Sequence, residues 1–317
     1  MTDAVTWSVA DLGDQTGRTF VVTGASSGLG VAITRHLAAR GGRVIMAVRD
    51  TGKGDRVRGQ LRTDNPEADL DVRRLDLLDL DTVHRFVDDL RADGVTVDAL
   101  VNNGGIANVP RRLSPQGVES QLATNHLGHF ALTGLLLDLL AAGRDPVVVT
   151  VASGLYRLGR LDPDDLAAER GYSPARAYAT SKLANVLFAL ELDRRLRAIG
   201  SPVRSLLAHP GVAKTDLDRN APPLLRAAGS LMQFFLARPI DDAVAPILYA
   251  ATETAAPTGR HIGPGRPMRR AQPTFEELSG AAADPDLAQR LWERSAQLTG
   301  VDVPTASGDR PATSQPH

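Results

Sequence analysis

Tyr178 and Lys182, four residues apart in the run YATSK, are the pair in this sequence best suited to proton transfer. In a helix that spacing puts both side chains on one face, within reach of a common ligand. A free phenol titrates near ~10, too high to exchange protons readily at neutral pH. A cation beside it favours phenolate and makes tyrosine a usable general acid–base. A surface Tyr–Lys pair meets the same spacing, so the rest of the chain must decide between the two readings.

The elements that would position such a pair begin with residues 19–30, TFVVTGASSGLG. Thr19, Phe20, Val21, Val22 and Thr23 read as a buried strand. Gly24, Gly28 and Gly30 follow, and then residues 31–40 read as a helix. Strand, glycine turn and helix is how a doubly wound α/β fold brings a pyrophosphate onto a helix N-terminus. The spacing G-x-x-x-G-x-G departs from the commonest dinucleotide fingerprint, so an ordinary glycine-rich turn also fits these residues alone.

Further strands are predicted at residues 43–48, 71–75, 99–101, 146–151 and 203–207, with helices at 79–90, 119–142, 174–199 and 241–251. A short exposed helix is expected within 51–67. Asp79 is a candidate N-cap, and Gly143 with Pro146 ends the long helix. Strands alternating with helices of this length imply right-handed crossovers and a parallel sheet, hence a three-layer α/β/α Rossmann-type fold. No linker divides the chain, so residues 1–303 read as one domain. Residues 304–317, rich in Pro, Ser, Thr and Ala, read as a disordered tail. In such a sheet, ligands bind at the carboxyl ends of the strands.

The 317 residues are 43% hydrophobic and 23% charged, with a net charge of −1. That balance supplies no global field to hold nucleic acid or an anionic membrane. The absence of cysteine excludes disulfides, thiolate metal sites and a cysteine nucleophile. The N-terminal residues contain no apolar core of signal-peptide length, and no apolar run is long enough to span a bilayer, which predicts a cytoplasmic protein. His126 and His129 share a helix face without an evident third ligand, so no metal is expected. Arg266, Arg269 and Arg270 read as a solvated basic patch.

Taken in order, the motifs TGASSGLG, NNGG (102–105), ATNHLGHF around Asn125, VVVTVAS ending at Ser153, YATSK and HPGVAKT from His209 resemble the short-chain dehydrogenase/reductase family. The resemblance runs from about Trp7 to about Val301. NHLGHF, AHPGV and the late LWERS look most like its retinol-dehydrogenase-like and protochlorophyllide-reductase-like branch. It implies an oxidoreductase acting on a small-molecule carbonyl or alcohol, in which Tyr178 exchanges the proton and Ser153 holds the same oxygen. It also implies that Lys182 depresses the tyrosine's pKa and binds the nicotinamide ribose, while Asn125 anchors a water in a proton relay. The hydride moves between the cofactor and the carbonyl carbon, so the protein supplies orientation and a proton.

By the same resemblance Gly24, Gly28 and Gly30 hold the pyrophosphate, Leu29 lies in the same cofactor turn, and Ser26 and Ser27 add hydroxyl donors to a 2′-phosphate. Asp76 and Leu77 meet the adenine, and Asn102, Asn103 and Gly104 lie along the riboses. Pro210, Gly211, Val212 and Thr215 approach the carboxamide. NAD-binding relatives carry an acid where the second strand closes; here Arg49 stands there, and a guanidinium suits a 2′-phosphate. NADP(H) is therefore expected in preference to NAD(H), although Asp50, one register on, would restore an acid. The usual NNAG appears as NNGG, which is expected to loosen that loop. Residues 155–173 form a longer excursion than in the shortest members and are placed to border a substrate entrance.

Residues 213–240 occupy the position of a substrate loop and are rich in Leu, Phe and Met. They read either as a lid over a hydrophobic or bulky substrate or as a segment packed on the body or at a subunit interface. A homodimer or homotetramer is compatible with the resemblance. The competing reading is a non-redox NADP(H)-binding sensor, scaffold or lyase on the same fold.

Overall fold

The computed structural model describes residues 3–211, 239–265 and 272–303. The strands are Asp3–Ala4 (β1), Thr19–Thr23 (β2), Arg43–Val48 (β3), Leu70–Arg74 (β4), Ala99–Asn102 (β5), Val147–Val151 (β6), Arg204–Ala208 (β7), His261–Gly263 (β8) and Thr274–Glu276 (β9). They form one nine-stranded sheet in the order β1-β9-β8-β7-β6-β5-β2-β3-β4. Every pairing from β8 to β4 is parallel, whereas β9 is antiparallel to both β8 and β1. The parallel, doubly wound α/β fold expected from the sequence is present. β1, β8 and β9, two or three residues each, carry no periodic signal long enough to read in advance.

Alternate residues of the central strands enter different cores, as the period of two in a strand requires. Phe20, Val22, Val44, Met46, Val101, Val147 and Val149 pack with Ile33 and Leu37 of the helix Gly28–Ala39 (α1) and with Val244, Ile247 and Leu248 of the helix Ile240–Thr252. Val21, Ile45, Leu100 and Val148 face the other way. There they meet Val83, Phe86 and Leu90 of Leu80–Ala92 (α3), Leu132, Leu136 and Leu140 of Gly128–Ala141 (α5), and Phe188 of Pro174–Ala198 (α6). These are the outer layers of the sandwich.

Local signals end the helices where the chemistry predicts. Asp79 caps α3 by accepting from the Asp81 N–H at 3.1 Å. Asp284 caps the last helix, Pro285–Thr299, with Pro285 in its first turn, and Gly300 closes it at φ +67°. The stretch expected to hold a short helix folds instead as Thr51–Asp64 (α2), held to the sheet through buried Leu61. No helix among the described residues is long and apolar enough to cross a membrane.

Candidate active site

The glycine turn sits at the carboxyl end of β2. Gly24 (φ +68°) and Gly28 (φ +51°) lie in the left-handed region, and α1 begins at Gly28 rather than at residue 31. Gly28, Leu29 and Gly30 therefore form its first turn, whose N–H groups have no intrahelical acceptor. A Cβ at Gly30 would stand 2.3 Å from the Gly24 carbonyl oxygen. The Ser27 hydroxyl makes no capping bond, and Ser26 and Ser27 are half-buried. Unpaired amides, available hydroxyls and a backbone too close for any Cβ suit a pyrophosphate.

Arg49 is exposed immediately beyond β3. Its neighbour Asp50 is committed elsewhere, because its carboxylate accepts the Lys53 N–H at 2.9 Å as the cap of α2. After β4, Asp76 Oδ1 accepts from the Leu78 N–H at 3.1 Å, and the Thr82 hydroxyl donates to the Asp76 carbonyl at 2.8 Å. Leu77 is buried between Gly104 and Gly128.

Beyond β5, Thr23 organises the next loop, a role the sequence reading missed. Its hydroxyl oxygen accepts from the Asn103 N–H at 2.9 Å and the Gly104 N–H at 2.8 Å, while Asn103 Nδ2 donates to the Thr23 carbonyl at 2.8 Å. Asn102 is buried and donates to the Thr133 hydroxyl at 2.9 Å. The NNGG loop is not slack. A Cβ at Gly24 would meet Gly104 Cα at 2.9 Å, and one at Gly104 would meet Leu77 Cδ1 at the same 2.9 Å.

The expected long helix is three segments in series: Ser120–Leu122 (α4), a π-helical stretch Ala123–Leu127, and α5. Asn125 lies in the π stretch, an irregularity often found at functional sites. Its Oδ1 accepts from the Ile106 N–H at 2.8 Å, and its Nδ2 donates to the Ile106 carbonyl and the Ser181 hydroxyl, both at 2.9 Å. Its backbone carbonyl accepts from His129 Nδ1 at 2.9 Å. Burial pushes His129 down to about 4, so it is neutral, and its Nε2 faces the Thr23 hydroxyl at 2.9 Å.

On α6, Tyr178 and Lys182 are 8% and 5% exposed, so the pair is no surface feature. Lys182 Nζ lies 5.8 Å from the centroid of the Tyr178 ring and donates to the Val151 carbonyl at 2.9 Å. Val151 ends β6, two residues before Ser153, whose hydroxyl caps the 3-10 turn Gly154–Leu158 by accepting the Leu155 N–H at 3.3 Å. Burial lowers Lys182 to about 8. It still carries its charge at neutral pH. Beyond β7, Pro210 leads to Gly211 (φ +69°), whose N–H donates to His209 Nδ1 at 3.2 Å. Val212, Thr215 and residues 213–238 of the expected substrate loop lie outside the described residues, as do Arg266, Arg269, Arg270 and 304–317.

Residues 18–224 match a family model described as short chain dehydrogenase. The chain belongs to the short-chain dehydrogenase/reductase family. Its members are oxidoreductases that use nicotinamide dinucleotides. This short-chain dehydrogenase is 36% identical to retinol dehydrogenase 14 of Homo sapiens over 92% of its own length and 89% of the relative's. It is 40% identical to polyprenol dehydrogenase of Mus musculus over 90% of its length and 85% of that protein's, which places it in the retinol-dehydrogenase-like branch. Among solved structures, an uncharacterised protein from Mycobacterium paratuberculosis is 42% identical, with a TM-score of 0.76 over 95% of this chain and 100% of the other. A short-chain type dehydrogenase/reductase from Mycobacterium marinum, 22% identical, shares the fold with a TM-score of 0.64 over 81% and 97% of the two chains.

Three further groupings accompany these residues. A cavity of about 170 Å³ lies between the 155–173 excursion and the start of α6, lined by Leu122, Leu161, Leu166, Tyr172, Ala177 and Thr180. His126 is buried against Phe130 and Phe188, is neutral because burial pushes it down to about 3, and bonds Ser295 at 2.9 Å. His209, His261 and Glu276 bring ligand-type atoms within 4.8 Å of one another. In the sequence only His126 and His129 stand close enough to suggest a metal, because the other three lie far apart along the chain in β-strands or just after one.

Proposed function

We propose that this protein is an NADP(H)-dependent carbonyl reductase or alcohol dehydrogenase acting on a lipophilic substrate, with Tyr178 as general acid–base. The observation that carries the reading is the buried Tyr178–Lys182 pair, tied through Val151 to the strand end that bears Ser153. Lys182, charged below about pH 8, favours the phenolate form of Tyr178 and so brings proton exchange towards neutral pH. Ser153 donates to the substrate oxygen and orients it. Asn125 acts through position: its side chain pins the Ile106 loop to α6, and its carbonyl is held in place by His129.

The Gly24–Gly30 turn holds the pyrophosphate of the cofactor, and Asn102, Asn103 and Gly104 its riboses; when bound, the nicotinamide supplies or accepts the hydride. Arg49 selects the 2′-phosphorylated form. This is supported by its exposure beyond β3 and by the engagement of Asp50 Oδ1 as the cap of α2, which orients that carboxylate toward the helix. A lipophilic substrate is supported by relatives named for retinol and polyprenol, both long apolar isoprenoid alcohols, and by the leucine- and phenylalanine-rich residues 213–240. Nothing among the described residues favours the sensor or lyase reading over this one.

The test is a reduction screen over aldehydes and ketones graded by size and polarity, run with NADPH and with NADH. Turnover should rise with apolar length, and NADPH should be preferred. Arg49→Ala should erode that preference by roughly 10-fold or more, the loss of a charge-assisted contact. NADH preference unaffected by Arg49→Ala would overturn the cofactor assignment.

A further inference from the structure

We propose that His209, His261 and Glu276 form a binding site for one divalent transition-metal ion of the zinc class, separate from the acid–base residues. His209 follows β7, His261 opens β8 and Glu276 closes β9, so the site would join three neighbouring strand ends. Eight buried side-chain polar atoms among the described residues have no hydrogen-bond partner. Four of the eight cluster here: His209 Nε2, which has only a long 3.4 Å approach to Glu276 Oε1, both ring nitrogens of His261, and the Tyr156 hydroxyl. The His209 and His261 rings lie 4.2 Å apart, and Tyr156 stands edge-on to His261 at 5.3 Å. His261 is completely buried and His209 is 7% exposed. Buried polar groups left without partners are costly and rarely accumulate in one place unless something satisfies them.

The donor set indicates what that is. Two imidazoles and one carboxylate suit a borderline cation, whereas calcium and magnesium prefer oxygen ligands throughout. An ion holding its ligands at about 2.1 Å in tetrahedral geometry separates the ligand atoms by about 3.4 Å. His209 Nε2 and Glu276 Oε1 are 3.4 Å apart, and one ligand-type atom from each of the three residues lies within 4.8 Å of the others. Arg157 donates to Glu276 Oε2 at 3.3 Å, which orients the carboxylate from outside and leaves Oε1 for the ion. Gly263 is required for the approach, since a Cβ there would stand 2.2 Å from His209 Nε2. A His209–Glu276 ion pair alone would leave both nitrogens of His261 unsatisfied.

Binding requires only a tautomer change at His209. Gly211 donates to His209 Nδ1, so in the ion-free protein the ring proton sits on Nε2 and faces Glu276. Coordination through Nε2 moves that proton to Nδ1 and releases the Gly211 N–H. The imidazole stays neutral, and no net proton is lost. Metal occupancy is thereby coupled to the backbone that follows β7.

The test uses the full chain with any affinity tag removed, stripped with chelator, loaded with Zn2+ and desalted, then analysed for metal by mass spectrometry. Co2+ serves as a second probe through its visible absorption. Wild type should retain about one Zn2+ per chain and melt at a higher temperature with zinc than without. Glu276→Gln, nearly isosteric, and His261→Phe, which fills the same space, should each weaken retention by more than about 100-fold, beyond the 10- to 100-fold typical of an outer-shell change, and abolish the zinc-dependent melting shift. No stoichiometric metal in wild type would overturn the proposal. Equal retention in both variants would also overturn it, placing the metal elsewhere.

Discussion

At the scale of single residues, Lys182 exposes the trade between stability and function. Burial of its ammonium lowers its pKa from 10.5 to about 8, so the folded state holds that proton more weakly than the unfolded chain. The cost is present in full below about pH 8 and is relieved as pH rises towards 10.5. Lys182→Met should therefore stabilise the protein at pH 7 by about 1–2 kcal/mol, the desolvation saved less the lost bond to Val151. Its advantage over wild type should shrink between pH 8 and 10.5, and its turnover should collapse. Denaturant titrations across that range measure the first part; an advantage that grew with pH would contradict it. Tyr178 and Lys182 were legible in the sequence because their chemistry depends on a spacing of four in one helix. Thr23 and His129 were not, because a strand-end threonine and a helical histidine acquire their role only when β2, the Asn103–Gly104 loop and the π stretch meet.

At the scale of elements, the approach of the Asn125-bearing helix to the sheet rests on one glycine. A Cβ at Gly128 would stand 2.1 Å from the Leu77 carbonyl oxygen, so the first turn of α5 lies against the backbone beyond β4. Gly128→Ala must push the helix outward or distort the loop, at a cost of about 1–3 kcal/mol for overpacking. Because Asn125 sits just before that contact, kcat should fall more than the modest loss of stability accounts for. Thermal melts and steady-state kinetics on the same preparation would separate the two effects, and an unchanged kcat in a destabilised variant would contradict the positioning argument. The long helix was readable from its apolar composition, but the π stretch within it was not, since nothing in ATNHL breaks helical periodicity. The start of α1 at Gly28 was hidden for the opposite reason: glycines that read as turn residues form the helix's first turn.

At the scale of the whole molecule, the parallel sheet gathers residues distant in sequence along its carboxyl edge. The glycine turn, Arg49, Asp76, the NNGG loop, Ser153 and Pro210 lie at or just beyond strand ends, from β2 to β7. Six strands of four to six residues, most of them with buried apolar runs, made that arrangement legible in advance. The edge formed by β8, β9 and β1 was invisible, and with it the meeting of His209, His261 and Glu276, because three-residue strands carry no pattern.

Proton transfer by Tyr178 is tested most directly at its hydroxyl. Tyr178→Phe keeps the ring and its packing and removes only the hydroxyl, so the measurement is its rate of NADPH oxidation with the best lipophilic aldehyde, alongside its NADPH affinity. Cofactor binding should be unchanged and kcat should fall roughly 100- to 10,000-fold, the scale of a lost general acid–base. Turnover at the wild-type rate would contradict it.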